Sequence, residues 1–159
     1  VSTGMRLDEA ALMTWERLAL FDGVWCFSLV NDVEAVKVKN RGSMQYIPVP
    51  EILKPILGNG GEGRLFTYRI DQDGKAQAKA SDAVMRYIRS VTQNDRKVAD
   101  SIRGNFKDFI RDLDVSKEIN DFITGHAQGD VAGRYGKGLS MDKWLEVINQ
   151  IEHPWLEQT

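Results

Sequence analysis

Residues 99–138 read ADSIRGNFKDFIRDLDVSKEINDFITGHAQGDVAGRYGKG, and the reading of this stretch decides the fold. Ile102, Phe106, Phe109, Ile110 and Leu113 recur at intervals of three and four, which is the apolar face of an amphipathic helix. Ser116 has the side-chain oxygen needed to cap a second, shorter helix, with Ile119, Phe122 and Ile123 as its buried side and Gly125 as its stop. His126 follows that stop, and Tyr135 comes next among Gly133, Arg134 and Gly136. Taken singly these features are ordinary. Arg103 alone reads as a solvated helix residue, Gly125-His126 as a C-cap whose histidine suits the helix dipole, and Tyr135 as a turn aromatic. The order of the parts carries more than any one of them.

Composition sets the outer bounds. A chain of 159 residues with 42% hydrophobic and 28% charged residues is expected to form one domain, 1–159, with a sizeable core. No apolar run reaches the roughly eighteen residues of a membrane span, so no membrane association is expected. The absence of a basic-then-apolar leader and the single Cys26, which rules out an internal disulfide, suit the cytoplasm. Two histidines and one cysteine are too few for a dedicated zinc site, and no metal or cofactor is expected. The net charge of −2 argues, as a whole, against a nucleic-acid binder. Its distribution does not. From Arg86 to Arg111 seven basic and three acidic residues give +4, and from Asp112 to the end four basic and nine acidic residues give −5. A basic middle with an acidic tail is compatible with one DNA-facing surface.

Upstream, TGMRLDEAALMTW (3–15) carries a helical face in Leu7, Ala10, Ala11, Met13 and Trp15, with Asp8 and Glu9 in the turn where carboxylates are favoured. Three strand-like runs follow, over 24–30, 35–39 and 44–49, separated by Asn31-Asp32 and Asn40-Arg41-Gly42. A short helix is predicted over 51–57. The glycine-rich run 58–63 has no leading strand and no Lys-Ser or Lys-Thr after it, so it reads as a mobile surface loop and not as a phosphate cradle. A helix is predicted over 76–90 with Ala80, Ala83, Val84, Tyr87 and Ile88 inside, and with Lys75, Lys79, Arg86 and Arg89 available to phosphates. Ser140 caps a last helix bearing Trp144, Leu145, Val147, Ile148 and Ile151, which Pro154 ends.

Helix, turn, helix, Gly-His and then a tyrosine, with Thr3-Gly4-Met5-Arg6 and Glu9 far upstream, resembles the signature of the tyrosine recombinases, the phage integrase family. The resemblance runs from about Thr3 to about Ile151. It implies an α+β, mainly helical fold like the recombinase catalytic domain, with a small three-stranded antiparallel sheet. It implies a site-specific recombinase that cleaves and rejoins double-stranded DNA at attachment sites through a 3′-phosphotyrosyl intermediate, integrating or excising a phage or other mobile element. Tyr135 would be the nucleophile, Arg6 and Arg103 the arginines on the scissile phosphate, and His126 a hydrogen-bonding support. KNRGSMQYIP (39–48) resembles the segment that carries the catalytic lysine, which makes Lys39 the first choice and Lys37 the second. The family further implies a homotetramer on paired sites. Because the chain opens on Val1, it is expected to be a fragment of a longer integrase with DNA-binding domains upstream.

The chemistry suits these residue types. A covalent intermediate preserves the energy of the broken phosphodiester, and two permanently charged, planar guanidinium groups match the charge that develops on the phosphate oxygens. The chain departs from the family pattern at Asp100, where a histidine or lysine is usual, and at Gly104, often a histidine. An aspartate beside a phosphate repels it. Gln45, where the family often has an arginine, weakens one further phosphate contact. A recombinase-like domain that binds DNA or partners without cutting therefore stands as the alternative. A Cys26–His126 hydrolase is disfavoured, since Cys26 lies inside an apolar strand run where a thiol is inert.

Overall fold

The computed structural model describes residues 2–29, 46–124 and 139–153. Within them the chain is α+β. Six α-helices accompany one three-stranded antiparallel sheet: α1 (Leu7–Ala11), α2 (Lys54–Leu57), α3 (Gln77–Val91), α4 (Ala99–Asp112), α5 (Lys117–Ile123) and α6 (Met141–Ile148), with β1 (Leu18–Phe21), β2 (Val24–Ser28) and β3 (Tyr46–Pro48) in the order β1-β2-β3.

The helices over 77–91, 99–112 and 117–123 lie where the periodicity places them, whereas α6 ends at Ile148, before Ile151 and well short of the expected stop at Pro154. Phe106 and Ile110 of α4, one turn apart, are fully buried. Ser116 Oγ accepts the Ile119 N–H at 3.3 Å and Ser140 Oγ accepts the Lys143 N–H at 3.3 Å, so both expected caps form. The main core joins Phe27 of β2, Ile47 of β3, Phe106 and Ile110 of α4, Ile123 of α5 and Trp144 of α6. Trp144 is fully buried and meets Phe122 edge-on, with ring centroids 5.3 Å apart. A smaller cluster of Ala11, Leu12, Ala76 and Ala80 lets α1 lie close on α3. Asp8 Oδ1 fastens the two by accepting the Ala76 N–H at 2.9 Å.

Four expectations are corrected. The first concerns the sheet. Its leading strand is Leu18–Phe21, in a stretch not read as a strand, and β2 then begins at Val24 as expected. Phe21 pairs with Val24 across a two-residue loop, and Asp22 and Gly23 have φ of 49° and 80°. Positive φ at both positions is what a type I′ hairpin turn requires, and Asp-Gly is among its strongest sequence signals. The helical face expected from Leu7 to Trp15 accordingly stops at Ala11, and a single 3₁₀ turn, Trp15–Arg17, leads into β1. The expected strand at 35–39 lies outside the described residues.

The second correction is Tyr87. It is 73% exposed, because Ala80 and Ile88 form the inner line of α3 and the neighbouring position lies about 100° round the helix. The third is Arg89, whose guanidinium donates to the carbonyls of Asn94 and Lys97 at 3.1 Å and thereby shapes the turn after α3. The fourth is the glycine-rich run. It is exposed but pinned: the Gly63 N–H donates to Glu16 Oε1 at 2.7 Å, the Trp15 N–H to the Gly63 carbonyl at 2.9 Å, and Gly61 lies against the Trp15 ring, where a Cβ would be 2.6 Å from Nε1.

Cys26 is completely buried in β2, with Sγ 3.9 Å from Met141 Sδ. Burial pushes its thiol up to about 11 from an ordinary 9.0. A thiol-directed disulfide reagent at pH 8 should therefore leave the folded protein unlabelled and label one thiol per chain in denaturant. The unfolded thiol ionises above its ordinary value while the folded one stays neutral. The contribution of Cys26 to stability is thus complete below pH 9 and declines as pH rises toward 11. Labelling of the native protein at its denatured rate would show that the strand opens.

Candidate functional site

Arg6 precedes the first turn of α1. Its backbone N–H donates to Glu9 Oε2 at 2.8 Å, and the other Glu9 oxygen lies 4.0 Å from Arg6 Nε. Glu9 thus faces back on the residue before the helix, as a carboxylate three positions on is placed to do. Its side chain is 12% exposed, whereas that of Arg6 is 35% exposed, so the carboxylate is enclosed and the guanidinium still reaches solvent.

Arg103 comes from a distant part of the sequence. It sits in the second turn of α4, half-buried, and its Nη2 donates to the Thr124 carbonyl at 3.1 Å. Thr124 is the C-cap of α5, so a helix C-terminus, where carbonyl charge accumulates, receives the guanidinium. The two arginines meet in one narrow cleft. It is lined by Thr3, Gly4, Arg6 and Glu9, by Leu29 just after β2 and Ile47 of β3, and by Arg103, Ile123 and Thr124. Burial lowers the pKa of Arg103, the Arg6 charge lowers it further, and Glu9 and Asp100 act in the opposite direction. Two guanidinium groups that feel each other in a partly desolvated cleft, with enclosed Glu9 as counter-charge, form a site that gains from an anion. The cleft has room for about 20 Å³, a single water.

Of the residues singled out in the sequence, Arg6 and Arg103 are brought together, with Glu9 between backbone and clamp. Asp100 lies in the first turn of α4, exposed, on the helix that carries Arg103. Lys39, Lys37, Gln45, His126 and Tyr135 lie outside the described residues. Gly104 is exposed, and a Cβ there would meet nothing within 4 Å. Sequence reasoning missed the Thr124 carbonyl, for which the only trace was its place beside the helix stop at Gly125. It also missed the packing of Gly4, for which the only trace was its place two residues before Arg6.

Beyond the cleft, α3 carries Lys79, Arg86 and Arg89 along an open groove of about 890 Å³ with Asp82, Met85 and Ser90. Lys79 pairs with Asp82 at 3.4 Å and Arg89 is engaged as described, which leaves Arg86 the most available of the three for an external anion. Among the described residues no group of three or more His, Cys, Asp or Glu is placed to hold a metal ion, and no helix is long and apolar enough to cross a membrane. Comparison of the chain with protein-family models, with curated proteins and with solved structures gives no match.

Proposed function

We propose that this chain is the catalytic domain of a tyrosine recombinase, with the fold of that family, acting on double-stranded DNA. The observation that carries the reading is the convergence of Arg6 and Arg103, nearly a hundred residues apart in the sequence, on one cleft with Glu9. In this reading the two guanidinium groups hold the non-bridging oxygens of the scissile phosphate, and the field they create is strongest where negative charge grows. The Tyr135 hydroxyl gives up its proton to water as its oxygen attacks phosphorus, a tyrosyl O–P bond forms, and the bond from phosphorus to the 5′-oxygen breaks. Lys39 protonates that departing oxygen, and His126 hydrogen-bonds the phosphate. Attack by a 5′-hydroxyl of a partner strand reverses the step and rejoins DNA, in a homotetramer assembled on two attachment sites.

The test is a duplex nicked close to the cleavage position, so that the released fragment diffuses away and the covalent intermediate accumulates. A protein–DNA adduct that survives boiling in detergent supports the reading. Failure to form one on any attachment-site library would sink it.

One observation favours the second reading, a domain that binds without cutting. The Asp100 carboxylate stands on the same helix as Arg103 and its charge acts on that guanidinium, so it opposes the approach of a phosphate. Asp100→His should accelerate adduct formation near neutral pH, by about tenfold if one hydrogen-bond or proton donor is being restored. No gain in the substituted protein would place Asp100 outside the reacting centre.

A further inference from the structure

Gly4 has φ of +66°, and the chain there runs against the ring of Phe106 so closely that a Cβ on Gly4 would fall 2.4 Å from Cε1 and 2.5 Å from Cδ1. Phe106 is fully buried and cannot give way outward. The position of this contact matters. Gly4 comes two residues before Arg6, and Phe106 lies one helical turn after Arg103, on the same side of α4. Each arginine is also anchored locally, Arg6 through Glu9 and Arg103 through the Thr124 carbonyl. Neither anchor sets the separation of the two guanidinium groups, which repel each other. For both groups to reach one phosphate in spite of that repulsion, the two chain segments must pack closely and rigidly, and a glycine without a Cβ lets the backbone before Arg6 lie in direct contact with the Phe106 ring.

We infer that the contact of Gly4 with Phe106 fixes the spacing of Arg6 and Arg103, making Gly4 and Phe106 positioning residues of the clamp. The inference rests on the reading that the two arginines serve one phosphate. Gly104 is the internal contrast, a glycine on the same helix beside Arg103 with open space where its Cβ would be.

Four proteins test it: wild type, Gly4→Ala, Phe106→Leu and the double variant, with Gly104→Ala as a control. Three quantities are measured on each: the guanidinium ¹⁵N–¹H resonance of Arg103, the rate of adduct formation on the nicked duplex, and the melting temperature. Gly4→Ala should move the Arg103 resonance and slow adduct formation, by about a hundredfold for a displacement near 1 Å. In the double variant leucine turns its methyl groups away from the new Cβ, so the resonance should return toward its wild-type position and the rate should recover by about tenfold. Its melting temperature should nevertheless fall below that of Gly4→Ala, because the core has lost ring atoms. Gly4→Ala and the double variant carry the same backbone strain, so the comparison isolates the ring. Gly104→Ala should leave the resonance and the rate as they are.

A double variant no faster than Gly4→Ala would reduce the contact to ordinary core packing and overturn the inference. So would an Arg103 resonance that Gly4→Ala leaves in place. If wild-type protein forms no adduct, the proposed function fails, and the resonance and its recovery in the double variant still decide the spacing.

Discussion

Tyr135→Phe is expected to form no covalent adduct with a nicked duplex, while binding the same DNA about as tightly as the unaltered protein. In the proposed mechanism the phenolic oxygen is the atom that bonds to phosphorus, and a phenyl ring has nothing to offer in its place, so the loss should be total. Binding persists because affinity for a duplex comes mainly from neutralised phosphates, to which one hydroxyl adds little. The two measurements therefore separate, and their separation is the informative result. Adduct that persists in Tyr135→Phe would move the nucleophile elsewhere. Of the other tyrosines in the described residues, Tyr87 is exposed on α3, Tyr68 stacks on Phe66, and Tyr46 stacks on Phe21 with centroids 4.1 Å apart. None of these three lines the arginine cleft.

The second large effect is expected at the clamp. Arg6→Ala and Arg103→Ala should each slow adduct formation by on the order of 10²–10³, equivalent to roughly 2.7–4 kcal/mol of lost transition-state stabilisation. The two variants should differ in stability. Arg6 is a third exposed and its local hold is a backbone N–H that alanine keeps, so Arg6→Ala should melt close to wild type. Arg103 is half-buried and ties α4 to the end of α5, so Arg103→Ala should lower the melting temperature as well. Arg103→Lys gives the sharper comparison. It retains the charge but not the planar fork, and cannot serve both the Thr124 carbonyl and a phosphate in the same way. It should bind DNA well and cleave it poorly. Wild-type cleavage rates in both alanine variants would mean that the phosphate is bound elsewhere.

Much of the helical frame was legible before any coordinates. The three-and-four spacing of Ile102, Phe106, Phe109, Ile110 and Leu113, the caps at Ser116 and Ser140, and the helix through Ala80 and Ile88 follow from local rules that need only neighbours in sequence. Even the missed strand was local information, since Asp22-Gly23 between Leu18–Phe21 and Val24–Ser28 is a hairpin signal in its own right. The error lay in carrying a helical pattern past Ala11, because Leu12, Met13 and Trp15 suit a buried turn as well as they suit a helix face. Tyr87 shows the opposite limit. An aromatic residue beside an inner line of apolar positions reads as core, and only the neighbours that α3 actually meets leave it outside.

What the sequence by itself determined is the identity of the chemical groups and the helices that carry them: an arginine just before α1 with a glutamate one turn on, and an arginine in the second turn of α4. That the two arginines belong together was expected only through the family resemblance, and tertiary structure is what brings them to one cleft. Local rules act over a few residues, whereas the cleft is built from distant parts of the chain, with Gly4 against Phe106 and Arg103 on the Thr124 carbonyl. Each of those pairings depends on a backbone conformation or a buried surface that exists only once the helices have packed on the sheet, and so no pattern in the sequence could state the distance between the two guanidinium groups.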